Sequence, residues 1–251
     1  MNLKTFGRIL TAAILVVGCS SGDNRQSQTV AVSNDSDNET IFGLVCDGSN
    51  DTIVVYLPLP YTGSDPDTLN ILEASRRRQV FGQLRIGDQV ALYRNADDST
   101  RADIVVVTQD LQGQWCYKVL PTLRHRADME GLSEQQAISQ LPDSVKALLS
   151  IEREYGLLIK NDSVAHSFGA FRNVKTSDEE SPVVYPELQR YHQWYIFNGR
   201  LVLSEVHVDS LGRVETVHAD TAEFVELTPD TLVLRFADGE QGYYRKTETN
   251  E

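Results

Sequence analysis

The sequence predicts a mainly β protein of two small barrels behind an export signal. Three observations carry this reading. Short apolar runs recur from Ile41 to Arg245, each bounded by Gly, Asp, Asn or Pro turn signals. One helical insertion, 133–153, interrupts them with apolar residues at three- and four-residue spacing. The first 18 residues combine a basic start with an apolar stretch too short to span a bilayer.

Composition narrows the function classes. The 251 residues carry 36 acidic and 23 basic side chains, a formal charge of −13. Phosphate binding needs a basic patch, so nucleic acid is excluded as a partner. A hydrophobic content of 41% and a mean hydropathy of −0.30 fit a soluble core rather than a polytopic membrane protein. They also exclude disorder over the whole chain.

The N-terminus reads as an address. Lys4 and Arg8 precede the apolar stretch Ile9–Val17, which ends in Leu15-Val16-Val17-Gly18-Cys19. This resembles the bacterial lipobox. The resemblance implies cleavage after Gly18, lipidation of Cys19 as the mature first residue, and a membrane as partner through that anchor. Three acyl chains exceed the two signals that stable anchoring needs. Residues 19–40 are polar and read as a disordered tether. Ser20, not Asp, follows Cys19, which favours the outer membrane of a Gram-negative envelope over inner-membrane retention. Removing residues 1–18 takes away two bases and no acids, so the charge becomes −15.

Residues 41–109 read as a small OB-like barrel. Ile41–Cys46 and Thr52–Leu57 flank the turn Asp47-Gly48-Ser49-Asn50-Asp51. Thr68–Leu72 is a strand or a short helix. Gln79–Leu84, Gln89–Tyr93 and Asp103–Thr108 follow. About five strands in some 70 residues suggest a compact barrel. The run Arg76-Arg77-Arg78 reads as a solvated face.

Residues 110–247 read as an up-and-down barrel of eight strands between Gln114 and Arg245. Asn198-Gly199 suits a type I′ turn between Tyr191–Phe197 and Leu201–Val208. Arg213–His218, Ala222–Leu227, Thr231–Phe236 and Gln241–Arg245 form a terminal meander. In the helical insertion, Ser133 and Gln136 fit a capping box, and Pro142 splits it near 134–140 and 143–153. The insertion is either a helix packed beside the barrel or a lid over a pocket.

Gln112-Gly113-Gln114-Trp115 resembles the Gly-x-Trp opening of lipocalin-like barrels, in which the Trp plugs one barrel end. Together with the lipobox and the smaller barrel, the chain resembles Gram-negative envelope lipoproteins with lipocalin-like domains, including the NlpE type that joins such a barrel to an OB-like one. Tyr191-His192-Gln193-Trp194 and Asp220–Leu227 extend the likeness. The CxxC of the NlpE type is absent and the domain order is reversed. The resemblance therefore implies architecture and location, not a specific activity.

If Cys19 is lipidated, Cys46 and Cys116 remain. Export permits a disulfide between them, and two buried free thiols are the alternative. The triplet Asp-(Ser/Thr)-apolar recurs, as in Asp67-Thr68-Leu69 and Asp209-Ser210-Leu211. It resembles an O-glycosylation motif of exported bacterial proteins, and it equally suits turns that lead into strands.

Nothing points to catalysis, to a metal or to a cofactor. The five His are scattered without HxH or HExxH spacing, and no Gly-x-Ser-x-Gly elbow or P-loop occurs. Two readings remain. The larger barrel binds a small apolar or amphipathic ligand, lined or closed by Trp115 and Trp194. Alternatively, the chain is an envelope sensor or protein-interaction lipoprotein with a filled core.

Overall fold

A computed structural model describes residues 40–124, 131, 133–169 and 181–246. The export signal, Cys19 and the rest of the tether up to residue 39 lie outside the described residues, as does His125.

The chain is mainly β. The first unit contains β1 (Thr40–Val45), β2 (Ile53–Leu59), β3 (Asp67–Asn70), α1 (Leu72–Arg76), β4 (Val80–Phe81), β5 (Gln89–Arg94) and β6 (Ala102–Val107). Its sheet order is β3-β2-β1-β5-β6-β4, antiparallel except for β4 beside β6. A parallel bridge from Asn70 to Arg101 brings β3 back to the start of β6. This is the OB-like pairing, with a helix after the third strand. Alternation along β2 turns Val54 and Tyr56 inward, where they meet Leu69, Ile71, Leu92 and Val105. The Thr68–Leu72 segment resolves into both predicted alternatives, strand then helix. The Gln79–Leu84 run yields a strand of two residues, because Gly82 leaves the sheet to donate its N–H to Leu227 O of the second barrel at 3.1 Å.

The link is α2 (Thr108–Leu111). The second unit follows with β7 (Gly113–Val119), β8 (Thr122–Leu123), α3 (Glu134–Gln140), α4 (Asp143–Leu148), β9 (Arg153–Ile159), β10 (Ala165–Phe168), β11 (Val183–Val184), β12 (Gln193–Phe197), β13 (Arg200–Val208), β14 (Val214–Leu227), β15 (Thr231–Phe236) and β16 (Gly239–Arg245). Eight of these strands form one antiparallel sheet in the order β10-β9-β7-β16-β15-β14-β13-β12. Every neighbour is the next barrel strand in the chain, with β16 returning to β7. The sheet is nearly closed: β10 and β12 meet through the bridge Val164–Gln193, and Trp194 N donates to Ser163 O at 2.9 Å.

Local signals explain most elements. Asn198 and Gly199 both take positive φ, 47° and 72°, as a type I′ turn demands. A Cβ on Gly199 would lie 2.6 Å from Ile104 Cδ1, so this turn also packs tightly on β6. Ser133 and Gln136 form the reciprocal capping box, and Pro142 separates α3 from α4. The second helix stops at Leu148 rather than 153, because Arg153 already opens β9. The runs Arg213–His218 and Ala222–Leu227 are one 14-residue strand, β14. Asp220 does not break it, because its carboxylate accepts hydrogen bonds from neighbouring side chains. The β8–β11 ribbon was not anticipated, since two-residue strands carry no periodicity. Of the Asp-(Ser/Thr) triplets, Asp209-Ser210-Leu211 forms a turn, its Asp209 Oδ1 accepting from Leu211 and Arg213 N, both at 2.8 Å, whereas Asp67-Thr68-Leu69 opens strand β3.

The core of the second barrel extends into the first, which also keeps a core of its own around Val54, Tyr56 and Leu92. Phe81, Ala91 and Val106 of the first pack with Trp115, Leu201, Phe224 and Leu232 of the second. The Phe81 and Phe224 rings lie 5.4 Å apart. At this junction Trp115 is fully buried, and its Nε1 donates to Leu111 O at 2.7 Å. The Arg245 guanidinium stacks 4.1 Å over the indole and donates to the carbonyls of Asp110, Gln112 and Pro229. Gly113 sits at φ +130°, and a Cβ there would lie 2.2 Å from Arg245 Nη1. Asp110 continues the network into the first barrel: Oδ2 accepts from Gln83 N at 2.7 Å and Oδ1 from Arg85 Nη1 at 2.8 Å.

Arg245→Met keeps the stem and removes the guanidinium, leaving the partly buried carbonyls of Asp110 and Gln112, and the exposed one of Pro229, without their donor. It should destabilise the chain by about 2–4 kcal/mol. Trp115→Ala should cost about 3–5 kcal/mol. Urea unfolding followed by fluorescence and circular dichroism checks both. Because Phe81, Ala91 and Val106 of the first barrel pack into the core of the second, the two barrels should unfold in a single transition.

Candidate functional site

The strands of the second barrel have one closed and one open end. Trp115 pairs with Arg245 in register at the closed end, against the first barrel. At the opposite end, beside the β15–β16 turn, lies a cavity of about 560 Å³. Its walls come from β7, β9, β14, β15 and β16 and from the segment before β12. Tyr117, Tyr191 and Tyr243 supply most of its aromatic surface, with Leu157, Leu188 and Phe236 beside them.

Strand alternation explains why these tyrosines face inward. Tyr117 stands two residues beyond Trp115, and Tyr243 two before Arg245, so each shares the inward face of its strand. The Tyr117 and Tyr243 rings meet edge to face at 5.2 Å, and Tyr155 stands edge-on to Tyr117 at 6.0 Å. The Tyr191 hydroxyl donates to Asp220 Oδ2, which also lies 2.9 Å from His218 Nε2. Burial, then the Asp220 carboxylate, holds the Tyr191 phenol far above its ordinary pKa. Burial does the same to Tyr243, reinforced by Tyr117 and Asp238.

The rim is acidic. Glu187, Asp220, Asp238 and Glu240 line the cavity, and no Lys, Arg or His does so among the described residues. Arg235 pairs with Glu240 from outside at 2.7 Å. No group of three or more His, Cys, Asp or Glu is arranged to hold a metal among the described residues.

The sequence-derived candidates are placed elsewhere. Trp115 and Trp194 do not line this cavity; both are buried in the shared core. Trp115 closes the opposite end. Trp194 locks the β10–β12 seam, its Nε1 donating to Lys160 O at 2.8 Å. Cys46 and Cys116 are free thiols, so the disulfide is not formed. Cys46 follows the first strand of one barrel, with its Sγ 3.6 Å from Leu44 O. Cys116 is buried in β7 of the other, opposite Gly156 and Tyr244. Burial raises its thiol pKa, with the Glu154 carboxylate adding to the effect. The helical insertion contributes no residue to the cavity wall. The tyrosines and Asp220 were missed, although the two-residue offset of Tyr117 from Trp115 was a readable signal.

No protein-family model, no curated protein and no solved structure matches the chain. Among the described residues, no helix is long and apolar enough to cross a membrane.

Alkaline titration of tyrosinate absorbance tests the buried cluster. Tyr191 and Tyr243 have raised folded pKa values against 10 in the unfolded chain, so the stability tied to their neutral form is full below pH 10. It is lost above that, as the unfolded phenols ionise first. Tyr244, held by Glu154, should titrate near 12. The buried phenols should ionise only together with unfolding. Under native alkylation, Cys46 should react well before Cys116.

Proposed function

We propose that the chain is a lipid-anchored lipoprotein of the bacterial envelope, attached through Cys19, whose second barrel binds a small apolar or amphipathic ligand without catalysing a reaction. The supporting observation is the cavity of about 560 Å³ at the free end of that barrel. Its size falls within the usual range of small-molecule sites, about 300–1,000 Å³. Its mixed lining, aromatic and aliphatic walls under a polar rim, suits an amphipathic molecule that leaves its polar end at the mouth.

The remaining architecture fits a carrier. The first barrel packs on the closed end through Phe81 and Phe224, so the mouth stays unobstructed by it. A polar tether after Cys19 would hold the pair of barrels off the bilayer, with the outer membrane as the favoured site. The acidic body, at −15 once residues 1–18 are removed, would not adhere to anionic lipid itself. Attachment then depends on the acyl chains.

One observation favours a second reading, that of an envelope interaction protein. The β13–β14 hairpin exposes Val208, Leu211, Val214 and Val217 near its tip, and Leu211 is 75% exposed. Such a patch suits a protein contact.

Two variants separate the parts of the proposal. Cys19→Ser should abolish membrane partitioning and acylation, read by fractionation and mass spectrometry of the N-terminus. Unchanged partitioning would refute the anchor. Ala237→Trp, at an exposed rim position, should reduce uptake of a neutral fluorescent apolar dye about tenfold or more while leaving the unfolding midpoint nearly unchanged. Undiminished uptake would place binding elsewhere, the hairpin included.

A further inference from the structure

We infer that the ligand is an organic cation: an amine or quaternary ammonium group carried on an apolar body. This rests on the cavity being a ligand site and assigns the chemical class it takes.

Three observations converge. The first is charge. Four carboxylates line the cavity, and no basic side chain lines it among the described residues. Some of this charge is already engaged. Glu240 pairs with Arg235, and Asp220 accepts from Tyr191 and lies beside His218. Asp238, in the turn at the mouth, has no ion-pair partner among the described residues. An anionic ligand would enter against this field, whereas a cation would be drawn in by it.

The second is the aromatic surface. Tyr117 and Tyr243 stand perpendicular, 88° between their planes, so they offer a ring face and a ring edge in two directions. Tyr191 adds a third phenol. Ring faces beside carboxylates, in a partly desolvated recess, are what an ammonium group meets in aromatic cages.

The third is an open acceptor. The Tyr243 ring is largely buried in the cavity wall, while its hydroxyl reaches solvent and is bonded to no protein group among the described residues. A primary or secondary ammonium N–H can donate to that oxygen, and a quaternary group can rest against the ring. A purely apolar molecule can do neither and would occupy only the Leu157, Leu188 and Phe236 side. That side accepts the apolar body.

The test uses the full chain and three soluble probes of one shape: 4-phenylbutyl-trimethylammonium, 4-phenylbutanol and 4-phenylbutyl sulfate. Each competes with bound N-phenyl-1-naphthylamine, a neutral fluorescent dye. The ammonium probe should displace the dye at a concentration about tenfold or more below the alcohol, and the sulfate should be weakest. Asp238→Asn, on an exposed turn, should weaken the ammonium more than the alcohol and narrow their ratio about threefold or more. Tyr243→Leu should narrow that ratio further, with circular dichroism confirming the fold. If the alcohol or the sulfate competes as well as the ammonium, the cavity binds ligands but the cation assignment is wrong. If the dye does not bind, or no probe displaces it, both the assignment and the ligand-site reading fail.

Discussion

The stack of Arg245 on Trp115 organises the rest of the molecule. A guanidinium carries its donors in a fixed plane, and here that plane is consumed on both sides. One face covers the indole, and the edge donates to the carbonyls of Asp110, Gln112 and Pro229. These groups belong to the link, the entry of β7 and the β14–β15 turn. One side chain therefore fastens the last strand of the barrel to its first. It also fixes α2, from which Asp110 reaches back to Gln83 and Arg85. Gly113 follows from the same constraint, because no Cβ fits beside the guanidinium.

That closure sets the polarity of the second barrel. With one end sealed by Trp115 and covered by the first barrel, unfilled space collects at the other end. There the inward positions carry tyrosines rather than branched aliphatics, and their rings leave a recess bounded by carboxylates. Below the recess the core is filled by the fully buried Leu201, Leu203, Leu232 and Leu234. A closed, packed end and a polar, aromatic opening at the other fit the proposed role as a binding barrel.

Much of the fold was legible because its signals are local. Asn198-Gly199 specifies its own turn, Ser133 and Gln136 cap their own helix, and alternation marks strands such as β12 and β15. What was not legible depends on distant partners. Arg245 lies 135 residues from Asp110, and nothing in its neighbourhood announces the contact. Asp220 resembles a turn residue, yet it stays within β14 because Tyr191, 29 residues away, donates to it. The cysteines were left open between a disulfide and two free thiols, and here both are free, one beside the first strand of the first barrel and one in β7 of the second. Trp115, read from the Gly-x-Trp resemblance as a barrel plug, is buried where the two barrels meet, and the same inward face leads two residues on to Tyr117, which lines the cavity.

Native mass spectrometry of the chain isolated intact from the envelope of the cells that make it tests the central claim most directly. The protein should carry a covalent mass increment at Cys19 and, separately, a non-covalent adduct of a few hundred daltons that is lost on gentle activation and is much reduced in Ala237→Trp. A chain without the covalent increment, or one whose adduct persists undiminished in that variant, would contradict a lipid-anchored barrel that holds its ligand at the open end.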